Sequence, residues 1–230
     1  MILVDSLLYN IDLKLNKLAS STHQEIPLEN KIIVLNEAQI KLIKQKLTYN
    51  NNYRLGLDSF KKRYEDLQTL VVPYESATVK NSVVDLKKLK NRYMFHVDSY
   101  LEADKGSCKA KKINIRLAKH SDLQILLNNN HYKPTFEYQE TLATISDNHL
   151  EIYTDGFEAK KAYISYIRYP KKIDKEGYID FFGNESVNSD CELPDFLEDE
   201  IVNIAVQELA FSTENVPAAQ FAEQRTKNTE

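Results

Sequence analysis

Tyr93-Met94-Phe95-His96-Val97-Asp98, then the turn Asp104-Lys105-Gly106 and Ile113-Asn114-Ile115-Arg116-Leu117, alternate apolar and polar residues with a period of two. Successive side chains of a strand point to opposite faces, so this spacing predicts two strands, and the turn between them predicts a hairpin. The strand pattern begins near Lys90. Toward the C-terminus a second hairpin runs from Tyr138 to Ile145, turns at Asp147-Asn148 and returns as Leu150-Glu151-Ile152-Tyr153. A helical insert from about Asp122 to Leu127 separates the two hairpins. A last strand, Lys161 to Tyr169, stops at Pro170, which has no N–H for a ladder. The middle of the chain therefore reads as an antiparallel sheet or small sandwich.

Upstream the period is helical. Leu7, Leu8, Ile11, Leu15 and Leu18 form a stripe on a helix from about Val4 to Ala19. Lys31-Ile32-Ile33-Val34-Leu35 is β-branched enough to predict a short strand, after which Asn36 is an N-cap for a helix from Glu37 to Tyr49. Asp58 then caps a third helix carrying Phe60, Tyr64 and Leu67, which Pro73 ends. Near the C-terminus, Leu193-Pro194-Asp195-Phe196-Leu197 leads into a helix with Ile201, Ile204, Ala205 and Leu209 on one face, and beyond Thr213 the apolar period is lost. The expected fold class is α+β, with an N-terminal helical subdomain, a central antiparallel β-sheet or small sandwich, and a C-terminal helix with an extended tail. The expected segments are 1–75, 76–180 and 181–230.

Composition narrows the functional classes. The 14 Tyr and 9 Phe stand beside no Trp, which supplies many rings with a polar tip, suited to sheets and to subunit interfaces. Asp5 and Asp12 interrupt the apolar N-terminus and no basic residue precedes it, so a signal peptide is not expected. No apolar run reaches the roughly 18 residues of a membrane span. The two cysteines, Cys108 and Cys191, form no framework, which fits a reducing compartment. The chain is read as neither secreted nor membrane-embedded.

No familiar motif marks a site for chemistry. The glycines at 56, 106, 156, 177 and 183 never reach phosphate-loop spacing. His23, His96, His120, His131 and His149 are dispersed, and His120 with Asp122 reads as a pair that makes local hydrogen bonds in a turn or caps the insert. Asp190, Glu192, Asp195, Glu198, Asp199 and Glu200 read as a solvated helix start, favoured by the helix dipole, in preference to a cation site. No catalytic centre, cofactor or metal is expected.

Charge is uneven although the net value is only −4. Residues 54–175 carry 22 basic and 16 acidic side chains, and residues 176–230 carry 2 and 13. Complementary subunit contacts are one use for such polarity, and solubility is the other. Lys105, Lys109, Lys111, Lys112, Arg116 and Lys119 flank the first hairpin. They are read as a lysine-guarded, subunit-facing edge, with phosphate contact to DNA as the alternative. The candidate interface residues are Lys109, Lys111, Lys112 and Arg116 on the hairpin, and Asp195, Glu198 and Asp199 at the acidic helix start.

Several stretches resemble a structural protein of tailed bacteriophages, in particular the crAss-like phages and their relatives infecting Bacteroidetes. They are Leu35-Asn36-Glu37-Ala38-Gln39-Ile40, His120-Ser121-Asp122-Leu123 with Lys133-Pro134, Tyr166-Ile167-Arg168-Tyr169-Pro170-Lys171, and Leu193-Pro194 through Ile201-Val202. These are packing and turn patterns without a catalytic signature. The resemblance implies a virion component, a neck or tail ring protein or head-to-tail connector next to the portal, assembled in the host cytoplasm. It implies a cyclic homo-oligomer, a dodecamer where it follows the portal, around the channel through which DNA leaves. The implied partners are copies of the chain, the portal and adjoining neck or tail proteins, with no membrane. A virion DNA-associated protein using the basic hairpin is the alternative, and a virion hydrolase with an unread site is a third reading.

Overall fold

In the computed structural model, residues 1–18, 26–47, 65–106, 108–179 and 183–212 are described. The elements in chain order are α1 (Val4–Leu18), α2 (Leu28–Leu47), β1 (Val71–Thr78), β2 (Val83–Asp85), β3 (Tyr93–Lys105), β4 (Cys108–Leu117), α3 (Leu123–Asn128), β5 (Glu140–Ser146), β6 (His149–Tyr153), β7 (Glu158–Arg168) and α4 (Glu198–Ser212). They divide into two compact units, residues 1–70 with 170–230, and residues 71–169. The fold is α+β, as the sequence implies. The first and last segments, separate in sequence, join in one helical unit, and the boundaries fall at 70/71 and 169/170.

The helical unit is built around α4. Ile201, Val202, Ile204, Ala205, Val206, Leu209 and Ala210 are all buried, so this helix is apolar on more than the one face expected and packs against both α1 and α2. From α1 come Leu7, Ile11 and Leu15, three members of the expected stripe. From α2 come Ile32, Leu35, Leu42, Ile43 and Leu47.

That list corrects two expectations. Lys31–Leu35 lies in the first two turns of α2 and is not a strand. Its β-branched residues favour extended structure weakly, whereas Ile32, Leu35, Gln39, Leu42 and Leu47 hold one helical face against the core, and burial outweighs propensity. Asn36 is accordingly not an N-cap. It lies mid-helix, where Nδ2 donates to the carbonyls of Ile32 and Ile173 (both 2.8 Å) and Oδ1 accepts the N–H of Ile173 at 2.9 Å. The amide thus imitates a strand partner for the buried Ile173. Most of the expected third helix, with its cap Asp58, Phe60 and Tyr64, lies outside the described residues, as does the tail beyond Thr213.

Pro73 does not follow a helix directly. It sits inside β1, an edge strand, at a register shift between Val72 and Glu75 where Tyr74 has φ 34°. An edge bulge is where a strand tolerates a residue with no N–H.

Residues 71–169 form one seven-stranded sheet in the order β1-β7-β3-β4-β5-β6-β2. Both expected hairpins are present, β3–β4 and β5–β6, the second turning on Asp147 and Asn148 with φ 42° and 60°. Neighbours are antiparallel except β4 and β5, which run parallel. The insert containing α3 carries the chain back to allow this, a crossover that alternation alone does not reveal.

Strands β1 and β2 lie at opposite edges of the sheet, yet one short turn joins them. There Lys80 and Val83 exchange backbone hydrogen bonds of 2.9 Å. Both conditions hold because the sheet curls, closing most of the way to a barrel. Its interior takes alternate residues from β3, β4, β6 and β7: Leu101 and Ala103, Ile113 and Ile115, Leu150 and Ile152, and Ala162, Ile164 and Tyr166. Phe136 and Phe157, from connecting segments, pack with them.

The alternation of Tyr93, Phe95 and Val97 does not mark one buried face. Register shifts between Tyr93 and Phe95 and between His96 and Asp98 break the parity, leaving Tyr93 packed on the core and Phe95 exposed. His96 is half-buried beside Ser99 (Nε2 to Oγ 2.9 Å), and burial holds its pKa below the ordinary 6.5 although Asp98 opposes the shift. The unfolded chain then takes up a proton near pH 6.5 while the folded one does not. Stability is expected to be level above about pH 6.5 and to fall as pH drops through and below that value. Denaturant midpoints between pH 8 and 5 check this, since His96→Gln flattens the profile if His96 is its source.

Candidate interface surfaces

On β4, Ile113 and Ile115 point into the barrel, so Lys112, Asn114 and Arg116 point out. The Lys112 ammonium lies 5.1 Å from the Tyr100 ring centroid, and the Arg116 guanidinium 5.3 Å from that of Tyr132. Tyr100 stacks on Tyr163 at 4.8 Å with 15° between planes, and Tyr74 lies 5.2 Å from Tyr100. The Tyr74 hydroxyl donates to Asp98 at 2.7 Å, which raises its pKa. The Tyr163 hydroxyl donates to Glu102 at 3.3 Å. Two cations held on tyrosine faces therefore share one outer sheet surface with Asp98 and Glu102. Neither Lys112 nor Arg116 forms an ion pair among the described residues.

The remaining hairpin cations differ. Lys111 is half-buried. Its ammonium donates to the carbonyls of Phe136 (3.0 Å) and Glu137 (3.3 Å), so it caps a turn of its own chain. Lys105 pairs with Glu137 at 2.7 Å, an exposed contact that lowers the Glu137 pKa. Lys109 belongs to β4, but its side chain lies outside the described residues. Of the four hairpin residues expected at an interface, the structure places Lys112 and Arg116 together on an open face and assigns Lys111 an internal role.

Each acidic residue expected at an interface has a partner within the helical unit. Asp195 accepts from the Met1 amine at 2.7 Å, and Glu198 accepts from Ser6 Oγ and, at 2.8 Å, Asn10 Nδ2. Asp199 pairs with Lys14 at 3.0 Å. Asp190 accepts the N–H of Val4 at 3.0 Å, satisfying one of the amides left open at the start of α1. The acidic helix start thus fastens α1 to α4. Asp195 and Asp199 still face solvent, where screening leaves such pairs little net energy.

His120 and Asp122, expected to make local hydrogen bonds or to cap the insert, do not bond to each other, and Asp122 holds the N-cap position of α3 without a side-chain cap bond. His120 Nε2 lies 3.1 Å from the carbonyl of Ile145, while Asp122 accepts from Ser121 Oγ. Cys191 is buried, with Gln39 Nε2 3.7 Å from its sulfur, and burial pushes its thiol up to about 11. Among the described residues no three His, Cys, Asp or Glu side chains are placed to hold a metal ion, and no helix is long and apolar enough to cross a membrane.

The tyrosine cluster behind Lys112 is not legible in the sequence. Tyr74, Tyr100 and Tyr163 come from three strands, and their proximity depends on β1, β7 and β3 being neighbours. No known family model matches this chain, and no curated protein matches it.

Proposed function

We propose that the chain is a virion structural subunit, a head-to-tail connector or tail ring protein that oligomerises around the DNA exit channel and binds the portal or adjoining ring proteins. The phage setting rests on the resemblance of the stretches quoted from Leu35 to Val202. The observation that carries an assembly role is the outer face of β3, β4 and β7, where Lys112 and Arg116 ride on tyrosine rings and form no ion pair among the described residues. Tyr and Arg are the residues enriched at protein interfaces, and a cation already seated on a ring has less freedom to lose on docking. In this reading the chain is non-catalytic, and its place is the virion.

The alternative, contact with genomic DNA, is disfavoured by Asp98 and Glu102 on the same face and by Glu140 opposite Asn114. Purified protein, alone and mixed with its portal, is expected to give rings in negative-stain images. Monomers in both samples would overturn the proposal. Salt-sensitive binding of the isolated chain to duplex DNA would favour the alternative.

A further inference from the structure

Within the helical unit, Glu29 and Glu37 of α2 and Asp174 and Glu185 of the segment folded against it line a groove of about 450 Å³, with Lys172 as the cation among them. Asp174 is used internally, accepting from Lys175 N, Tyr178 Oη and Val187 N. Glu29, Glu37 and Glu185 form no ion pair among the described residues. Between the two α2 carboxylates, Ile33, four residues from each, is 50% exposed. An aliphatic side chain between unpaired charges marks a surface suited to a basic partner.

The same chain carries a surface that matches it. Lys112 and Arg116 are four residues apart on a strand, about 13 Å at 3.3 Å per residue. Glu29 and Glu37 are eight residues apart on a helix, about 12 Å at 1.5 Å per residue. Asn114 lies midway along the first pair, as Ile33 does along the second.

We propose that the outer face of β4 in one copy lies along the α2 groove of a second copy, with Lys112 and Arg116 against Glu29 and Glu37. The contact joins two different surfaces of one chain, so it is heterologous and propagates from copy to copy. It rests on the self-assembly reading above and names the surfaces that reading requires.

The test is sedimentation velocity over a range of protein concentration at low and high salt. Wild type is expected to self-associate more strongly at low salt. Glu29→Lys with Glu37→Lys, or Lys112→Glu with Arg116→Glu, is expected to weaken association roughly tenfold or more. An equimolar mixture of the two variants, in which every contact is again between opposite charges, is expected to restore it. Should the Lys112→Glu pair disturb the sheet beside Glu102, Ile33→Arg, at an exposed position, is expected to give the same loss.

Wild type that stays monomeric at every concentration overturns the proposal, as do variants that associate like wild type or a mixture that stays apart. Rings that persist in every variant sink this contact and leave the ring reading. A mixture restored to open chains that never close leaves the contact and sinks the ring.

Discussion

Replacing Lys46 by Met is expected to lower the stability of the helical unit by about 3–5 kcal/mol. The Lys46 ammonium lies 2.7 Å from Glu200 and 3.3 Å from Asp66, and the three side chains are 8%, 12% and 2% exposed. Methionine keeps the length and apolar stem but withdraws the positive charge from two buried carboxylates. Asp66 Oδ1 is buried with no hydrogen-bond partner among the described residues, so its desolvation is already poorly offset. The three residues come from α2, from just before Leu67 and from the first turn of α4, so the loss falls where these segments meet. Urea unfolding at pH 7 measures it. Replacing Asp66 and Glu200 by Leu in the same protein is expected to recover most of the loss, because an apolar cluster carries no desolvation cost. A single-variant loss below about 1 kcal/mol would show that water reaches the triad.

Tyr166→Ala is expected to cost about 3–5 kcal/mol and to unfold the sheet unit at moderate temperature. Tyr166 is among the largest side chains with no exposure, and its ring packs against Tyr93 with centroids 5.8 Å apart. Its hydroxyl donates to Glu75 at 2.8 Å, with the Asn91 carbonyl at 3.2 Å. Glu75 also accepts the N–H of Lys90 at 2.7 Å. One phenol therefore ties edge strand β1 to the segment that follows β2, across the seam of the curled sheet. Tyr166→Phe keeps the ring and is expected to cost about 1–2 kcal/mol. A loss for Phe equal to that for Ala would place the energy in the hydrogen bonds and not in packing. Burial, aided by Glu75, pushes the Tyr166 pKa to about 12 from the ordinary 10.0. The folded chain then keeps a proton that the unfolded one releases, so this contribution is lost as pH rises from about 10 to about 12.

The candidate surfaces were legible in part. Lys112 and Arg116 are found from alternation, because in a strand with Ile113 and Ile115 inside, their neighbours must face out. Lys111 shares the parity of the isoleucines but sits near the end of its strand, where a long stem lets its ammonium reach the carbonyls of a turn. The acidic helix start was visible as composition, but its partners Met1, Ser6, Asn10 and Lys14 are nearly the whole chain away. Glu29 and Glu37 were hidden because Lys31–Leu35 read as a strand. That assignment gave the two glutamates no common helix on which their spacing has meaning.

Local pattern alone determined the two hairpins, the first helix, the insert and the C-terminal helix, and with them the α+β class. Each depends on side-chain period and turn residues within a short stretch, where backbone geometry is the deciding physics. The tertiary structure decided that Ile32 and Leu35 lie on a helix, that β4 and β5 run parallel, that the sheet curls until one short turn can join its two edge strands, and that the terminal segments share one core. These outcomes turn on which distant surface a residue is buried against. Burial is worth more than local preference, and no period within one segment records its partner.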